Sequence, residues 1–128
     1  MPGQILIIEA DSTLRSKLVG YLRQNKFDVL VADQKQKALD TLNRIHKDNP
    51  LVLLGLERLK REGVAILEVI RKEHPGIKVI TLNTGEQLDL SIEAMRLGAY
   101  DDFLVPIDLN RLMRCLENAQ HTEIKYDP

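Results

Sequence analysis

The chain has 128 residues, and its 18 lysines and arginines stand against 19 aspartates and glutamates, for a formal net charge of −1. That length suits one domain and leaves no room for a second core of ordinary size. With 44% hydrophobic and 29% charged residues, the composition excludes a disordered chain. A protein that binds nucleic acid by neutralising phosphates carries a basic excess, so the balance argues against DNA or RNA as a direct partner.

Cysteine content and hydrophobic run length narrow the class of protein further. Cys115 is the only cysteine, which excludes an internal disulfide and a cysteine-rich zinc site. The apolar run of the N-terminus, MPGQILIIEAD, is too short for a signal peptide. No window approaches the roughly 18 apolar residues of a membrane span. We therefore expect a cytoplasmic protein without membrane contact.

Short apolar runs recur along the chain and predict five strands. They lie at residues 5–8, 29–32, 51–54, 79–82 and 103–105. All but the last are nearly continuous in apolar residues, as in strands that are buried on both faces of a parallel sheet.

In the segments between these runs, apolar residues recur at helical spacing, and Asp11 or Ser12 is placed to cap the first helix. The apolar stripes of the five predicted helices contain Leu14, Leu18 and Leu22; Ala38, Leu42 and Ile45; Ile66, Leu67 and Ile70; Leu88, Ile92 and Met95; and Leu109, Leu112, Met113 and Leu116. Five β-α units predict right-handed crossovers and helices on both faces of the sheet. Functional residues are expected beyond the carboxyl ends of the strands.

The fourth predicted helix carries two apolar stripes instead of one. We expect Leu88, Ile92 and Met95 to face the core, which leaves Leu90 and Leu97 on the opposite side. Two apolar stripes on one peripheral helix favour contact with a partner. Scattered surface leucines are the equally ordinary alternative.

Four stretches of the sequence carry a family resemblance: ILIIEADSTLR, LVLLGL, KVITLN and AMRLGAYDDFLVPID. Through them, the chain resembles the receiver domains of bacterial two-component response regulators over about residues 4–119. The resemblance implies a flavodoxin-like (βα)5 three-layer α/β fold with a parallel five-stranded sheet of order 2-1-3-4-5. It also implies a receiver domain at residues 1–120, with residues 121–128 as a tail or the start of a linker.

The chemistry that the resemblance implies is phosphorylation of an aspartate at the end of the third strand. An acidic pair after the first strand holds Mg²⁺, and a hydroxyl after the fourth strand contacts the phosphoryl group. A lysine before the proline that follows the fifth strand also contacts the phosphoryl group. Because the transferred group is anionic, most of the catalysis is the placement of cations.

Most of these positions depart from the family pattern. The phosphoacceptor falls on Gly55, the acidic pair on Glu9 and Ala10, the hydroxyl on Asn83 (or Thr84 after a one-residue slip), the lysine on Val105 before Pro106, and the switch aromatic on Asp102. We therefore expect a receiver that has lost phosphotransfer and holds no metal or cofactor. Asp11 or Ser12 is expected to cap the first helix and Glu9 to be partly solvated, although weak cation binding by Glu9 and Asp11 stays open.

For partners, the resemblance implies a face made of the fourth helix, the fifth strand and the fifth helix. On that face Asp89 or Glu93 would pair with Arg111 or Arg114 of a second copy or another protein, beside Leu90 and Leu97. A merely solvated charged face is the alternative for each of these charges. Exposed ion pairs contribute about 0–1 kcal/mol each, so they would orient the contact more than strengthen it.

The leading hypothesis is a regulatory protein-protein interaction module of two-component signalling, not an enzyme. One alternative is an atypical receiver that is still phosphorylated. Another is a flavodoxin-like small-molecule or nucleotide-binding protein, which would need a phosphate-cradling glycine that the first strand-helix turn, EADST, lacks. An output domain after Pro128 in a longer chain stays open.

Overall fold

A computed structural model describes residues 3–45 and 50–121. The strands are β1 (Gln4–Ile8), β2 (Asp28–Ala32), β3 (Leu51–Gly55), β4 (Lys78–Asn83) and β5 (Asp101–Leu104). The helices are α1 (Ser12–Gln24), α2 (Lys35–Arg44), α3 (Arg61–Glu73), α4 (Leu88–Arg96) and α5 (Leu109–His121), with a short 3-10 helix at Gly85–Gln87.

The five strands form one parallel sheet of order β2-β1-β3-β4-β5, which confirms the predicted flavodoxin-like topology. One core lies between the sheet and α1 and α5, and a second lies between the sheet and α2, α3 and α4. Because β1 and β3 are covered on both faces, the apolar residues of both strands are buried, and this explains their continuous apolar sequence.

The first helix begins as the sequence indicates. Asp11 has an extended backbone conformation, and its carboxylate accepts hydrogen bonds from the amide N–H groups of Thr13 (2.9 Å) and Leu14 (3.2 Å). These bonds satisfy donors that have no partner within the helix. Asp11 is therefore the N-cap, and its position directly after β1 fixes where α1 leaves the sheet.

The predicted orientation of α4 is wrong. Leu90 is only 5% exposed and lies in the core, and Leu97 packs against the same core. Leu88, Ile92 and Met95, which were expected to face the core, are 64%, 46% and 45% exposed. The helix is rotated by about half a turn relative to the prediction.

The buried side of α4 includes a polar residue. The buried hydroxyl of Ser91 donates a 2.6 Å hydrogen bond to Asp102 of β5. Apolar periodicity does not predict a buried face that includes serine, because the stripe with the larger apolar residues is taken as the core face. Gly98, with φ +100°, then ends the helix in a backbone conformation that side chains disfavour.

Several expected boundaries differ from the structure. β5 begins at Asp101 and ends at Leu104, so Val105 lies beyond the strand, and Ile45 lies just past the end of α2. Residues 122–128, which make up most of the predicted tail, are outside the described residues. In the described part of the chain, no helix has the length and apolar character needed to cross a membrane.

Candidate functional site

The carboxyl ends of β1 and β3 bring Glu9 and Gly55 together. The two strands are neighbours, and Ile8 is in register with Leu54. The residues that directly follow Ile8 and Leu54 are therefore adjacent at the same edge of the sheet. Glu9 comes directly after β1, and Gly55 is the last residue of β3. This is the predicted location of the site, at the carboxyl ends of the strands.

The side chain of Glu9 occupies the space above Gly55. A Cβ atom built on Gly55 would stand 2.6 Å from Glu9 Cδ and 2.9 Å from Oε2, and closer still to Oε1. Real Cβ atoms essentially never approach other heavy atoms below 3.0 Å. No side chain can therefore be present at position 55 while Glu9 keeps this conformation.

Glu9 is buried, with 3% of its surface exposed, so the expectation of a partly solvated carboxylate is wrong. Its Oε2 accepts a 3.0 Å hydrogen bond from the amide N–H of Asp11. Burial raises the pKa of Glu9, and the charges of Asp11 and Glu57 add to the rise. The carboxylate is thus directed inward, toward the sheet, and away from a cation in solution.

Asp11 is already engaged by groups of the chain itself. Besides capping α1, its Oδ2 lies 3.6 Å from the guanidinium of Arg58 in the β3–α3 loop. The amide N–H of Leu14, together with that of Thr13 and the charge of Arg58, lowers the pKa of Asp11. Its carboxylate is therefore ionised, yet it is bonded to a helix terminus and an arginine.

These surroundings do not suit the Mg²⁺ that the family resemblance implies. Mg²⁺ in proteins is bound through oxygen ligands, usually carboxylates, in near-octahedral geometry. Ala10 offers no side-chain oxygen and packs against the core beneath α2 and α3. Glu9 and Asp11 are committed to the contacts just described, and among the described residues no cluster of three metal-ligating side chains occurs.

At the end of β4, Asn83 and Thr84 have different surroundings. Asn83 is 2% exposed, and its amide Nδ2 donates to Asp102 Oδ1. Thr84 begins the following turn, and its buried hydroxyl has no hydrogen-bond partner within the described residues. Asn83 is therefore the last residue of the strand, and its side chain is directed to β5.

The carboxylate of Asp102 is the centre of a polar cluster that sequence reasoning missed as a site. Its Oδ1 accepts from Thr81 Oγ1 (2.7 Å) and Asn83 Nδ2, and its Oδ2 accepts from Ser91 Oγ (2.6 Å). The three donors are all buried and come from β4 and α4. We call these four residues the Asp102 cluster. Its one signal in the sequence is an acid in the strand position where the resemblance expects an aromatic.

Val105 and Pro106 follow β5, and neither supplies a cation. The Val105 amide N–H donates a 2.9 Å hydrogen bond to the carbonyl of Asn83, and the Val105 side chain packs against the core beneath α1 and α5. Pro106 is exposed, and the peptide bond before it is cis. The backbone at Val105 is therefore still hydrogen-bonded to the end of β4. An apolar side chain occupies the position where the family resemblance implies a lysine.

Comparison with known proteins identifies the family. The sequence model of the response regulator receiver domain matches residues 5–117. The chain belongs to this family. Among curated relatives, the luminescence regulatory protein LuxO of Vibrio campbellii is 26% identical over 113 residues, which are 88% of this chain and 24% of that protein. The transcriptional regulatory protein ZraR of Escherichia coli O157:H7 is 29% identical over 121 residues, 94% of this chain and 27% of that protein.

Solved receiver structures agree with the fold in detail. The receiver domain of NtrX from Brucella abortus is 27% identical, with a TM-score of 0.84 over 93% of this chain and 99% of that one. A response regulator receiver domain from Clostridium thermocellum is 27% identical, with a TM-score of 0.85 over 93% and 94%. The chain spans only about a quarter of the curated relatives that it matches.

The outer surface of this receiver at α4 and β5 differs from the predicted partner surface. We define the α4–β5 surface as the exposed apolar side chains Leu88, Ile92 and Met95 of α4 and Leu104 at the end of β5, which is 59% exposed. Leu90 and Leu97 do not belong to it.

The predicted charged residues of this face are all at the surface, but not all are available to a partner. Glu93 forms an ion pair with Arg61 at the start of α3, within the same chain. Arg111 is exposed and lies over the Phe103 ring, 4.5 Å from its centroid, while Asp89 and Arg114 are exposed. The Asp89 and Arg114 side chains are therefore better placed than Glu93 for a contact between molecules.

Proposed function

We propose that this receiver has lost aspartyl phosphorylation and acts as a regulatory protein-protein interaction module. The observation that carries the proposal is the overlap between Glu9 and the side chain that a phosphoacceptor would need at position 55. Glycine supplies no nucleophile, and the carboxylate beside it is buried and hydrogen-bonded. The remaining positions support the same reading, since Ala10 and Val105 replace an acid and a cation of the implied pocket.

The Asp102 cluster supports the second half of the proposal. The family resemblance places a switch aromatic at position 102, where this chain has a carboxylate bonded to β4 and α4. Three buried donors that share one carboxylate favour one arrangement, because breaking the cluster removes their acceptor. The α4–β5 surface is then kept in a single conformation without a phosphoryl group.

The partner in this proposal is a protein that covers the α4–β5 surface, either another protein or a second copy of this chain. Exposed large apolar side chains on neighbouring elements favour contact with a protein. Asp89, Arg111 and Arg114 lie on α4 and α5 and would set the orientation of the contact. We include three further points in the same proposal. The protein is cytoplasmic, it does not bind nucleic acid directly, and it can be joined to an output domain in a longer chain.

Intact-mass measurement after incubation with Mg²⁺ and a small phosphodonor tests the loss of phosphorylation. We expect no mass gain, while a receiver with the complete acid set gains one phosphoryl group under the same conditions. A stoichiometric gain that hydroxylamine removes would identify an acyl phosphate and support the alternative of an atypical but working receiver. Fragment masses would then locate the acceptor, with Glu9 and Asp11 as the first residues to inspect.

A further inference from the structure

The free edge of the sheet at β2 is open to solvent. β2 is the terminal strand of the sheet, and in the described part of the chain it pairs with β1 alone. The outer edge of such a strand presents unpaired backbone N–H and C=O groups. Val31 of this strand is 47% exposed. The edge is therefore a surface on which a further strand can pair.

A cavity of about 710 Å³ lies along this edge. The apolar side chains of Val29, Val31 and Ile45 contribute to its lining, and the guanidinium-bearing residues Arg23 and Arg44 contribute its charge. No acidic residue occurs among the described residues that line it. The cavity thus combines a strand edge, apolar contact area and positive charge.

The two arginines approach β2 from opposite faces of the sheet. Arg23 belongs to the last turn of α1, whose Leu22 lies in the core shared with α5. Arg44 belongs to the last turn of α2, whose Leu42 lies in the other core. Arg23 and Arg44 thus line the same cavity from helices that lie on opposite faces of the sheet.

We propose that the edge of β2 docks an extended acidic peptide segment of a partner protein, which adds a sixth strand to the sheet. Strand addition of this kind draws affinity from main-chain hydrogen bonds and specificity from alternate side chains. The five residues of β2 extend over roughly 16 Å, so a segment of similar length would pair with them. This docking site is independent of the proposed loss of phosphorylation.

The geometry also specifies the spacing of the acidic residues. Successive side chains of a strand point to opposite faces. To reach both Arg23 and Arg44, the segment needs two acidic residues whose positions in the segment differ by an odd number. Two acidic residues whose positions differ by an even number lie on one face of the strand and reach only one arginine.

Two synthetic peptides test this spacing. Each peptide has eight residues, of which two are glutamates and the other six are threonine or valine. The glutamates are at positions 3 and 6 of the first peptide and at positions 3 and 5 of the second. Titration into isotope-labelled protein, followed through backbone amide resonances, is expected to shift those of Val29, Leu30 and Val31. The first peptide is expected to bind more tightly than the second.

Matched variants test the arginines. Arg23→Gln and Arg44→Gln are each expected to weaken the first peptide by up to about fivefold, as for one exposed ion pair. Lys17→Gln removes the same charge from the exposed side of α1, away from the cavity, and is expected to leave the affinity unchanged. Unchanged dispersion of the amide spectrum shows that each variant is folded.

Three outcomes would overturn the proposal. In the first, neither peptide shifts the β2 resonances. In the second, both peptides bind equally and the arginine variants bind as well as the unaltered chain. In the third, inorganic phosphate at the same concentration reproduces the shifts, which would make the cavity a small-anion site instead of a strand-docking edge.

Discussion

At the scale of single residues, the proposed loss of phosphorylation rests on the contact between Glu9 and Gly55. With Glu9 in its observed conformation, position 55 accommodates only glycine, because the Glu9 carboxyl group fills the space of a Cβ atom. Gly55 does not have a positive φ, so backbone conformation is not the reason for glycine. The sequence alone predicts that the acceptor is missing, but it cannot show that Glu9 takes its place, because that requires the register between β1 and β3.

Gly55→Ala tests this contact. We expect the substitution to lower the free energy of unfolding by roughly 1–3 kcal/mol, since the added methyl group overlaps the Glu9 carboxylate. Gly20→Ala is the control, because no atom lies within 4 Å of a Cβ there, and alanine in helix α1 is expected to stabilise by up to about 1 kcal/mol. Urea unfolding measures both variants.

A double-mutant cycle identifies the partner in this clash. In a Glu9→Ala background, Gly55→Ala is expected to cost markedly less, with a coupling of about 0.5–3 kcal/mol. Equal costs in the two backgrounds would contradict the overlap.

The buried carboxylate of Glu9 also predicts a pH dependence. Because its pKa is raised above the ordinary 4.5, the folded state binds this proton more tightly than the unfolded state. Its contribution to stability therefore falls as pH rises from 4.5 through the raised pKa and remains unfavourable at higher pH. Glu9→Gln removes the charge and keeps an oxygen that accepts from the Asp11 amide.

We expect Glu9→Gln to unfold at higher urea concentration than the unaltered chain at pH 7, and this advantage to shrink as pH falls through the raised pKa of Glu9 toward 4.5. Taking the difference between the two proteins cancels titrating groups that do not interact with Glu9. Glu68→Gln, at an exposed position of α3, should show no such pH-dependent gain. An advantage that stayed constant from pH 7 to pH 4 would contradict the burial argument.

At the scale of elements, α4 shows where sequence periodicity reaches its limit. Strand positions follow from apolar runs, strand order is what the family resemblance implies, and the structure confirms that order. The face of α4 does not follow, because both of its stripes contain leucine and the buried one contains Ser91. The acceptor of the buried Ser91 hydroxyl is Asp102 of β5, a partner that the apolar pattern of α4 does not show.

Two leucines two positions apart test the orientation of α4. Leu90→Ala is expected to destabilise the domain by roughly 2–5 kcal/mol because it opens a cavity in the core. Leu88→Ala changes a side chain that is 64% exposed and is expected to stay within about 0.5 kcal/mol. Thermal or urea unfolding of the pair measures the difference, and the reverse ranking would restore the orientation that periodicity predicts.

The Asp102 cluster predicts how α4 is held to the sheet. Asp102→Ala removes the acceptor of three buried donors and is expected to cost at least about 2 kcal/mol. Amide hydrogen exchange should accelerate in α4 and the end of β4 more than in α1. Asp89→Ala, an exposed acid of the same helix, is the control and should change neither quantity. Uniform acceleration across the domain would contradict a local role.

At the scale of the whole molecule, the chain has the fold of a receiver, and we propose that the groups that would react are replaced. The order of the sheet, the two cores and the crossovers depend on apolar patterning, which tolerates changes at the strand ends. The strand ends themselves carry the differences, at Glu9, Gly55, Asn83 and Val105. The central claim is that the conformation of the α4–β5 surface does not depend on phosphorylation.

The most direct test of this claim compares backbone amide spectra recorded with and without Mg²⁺ and beryllium fluoride, a mimic of the phosphoryl group. A receiver with the complete acid set serves as the positive control. We predict that the resonances of α4 and β5 keep their positions in this chain. Shifts throughout α4 and β5 at stoichiometric concentrations of the mimic would contradict the claim.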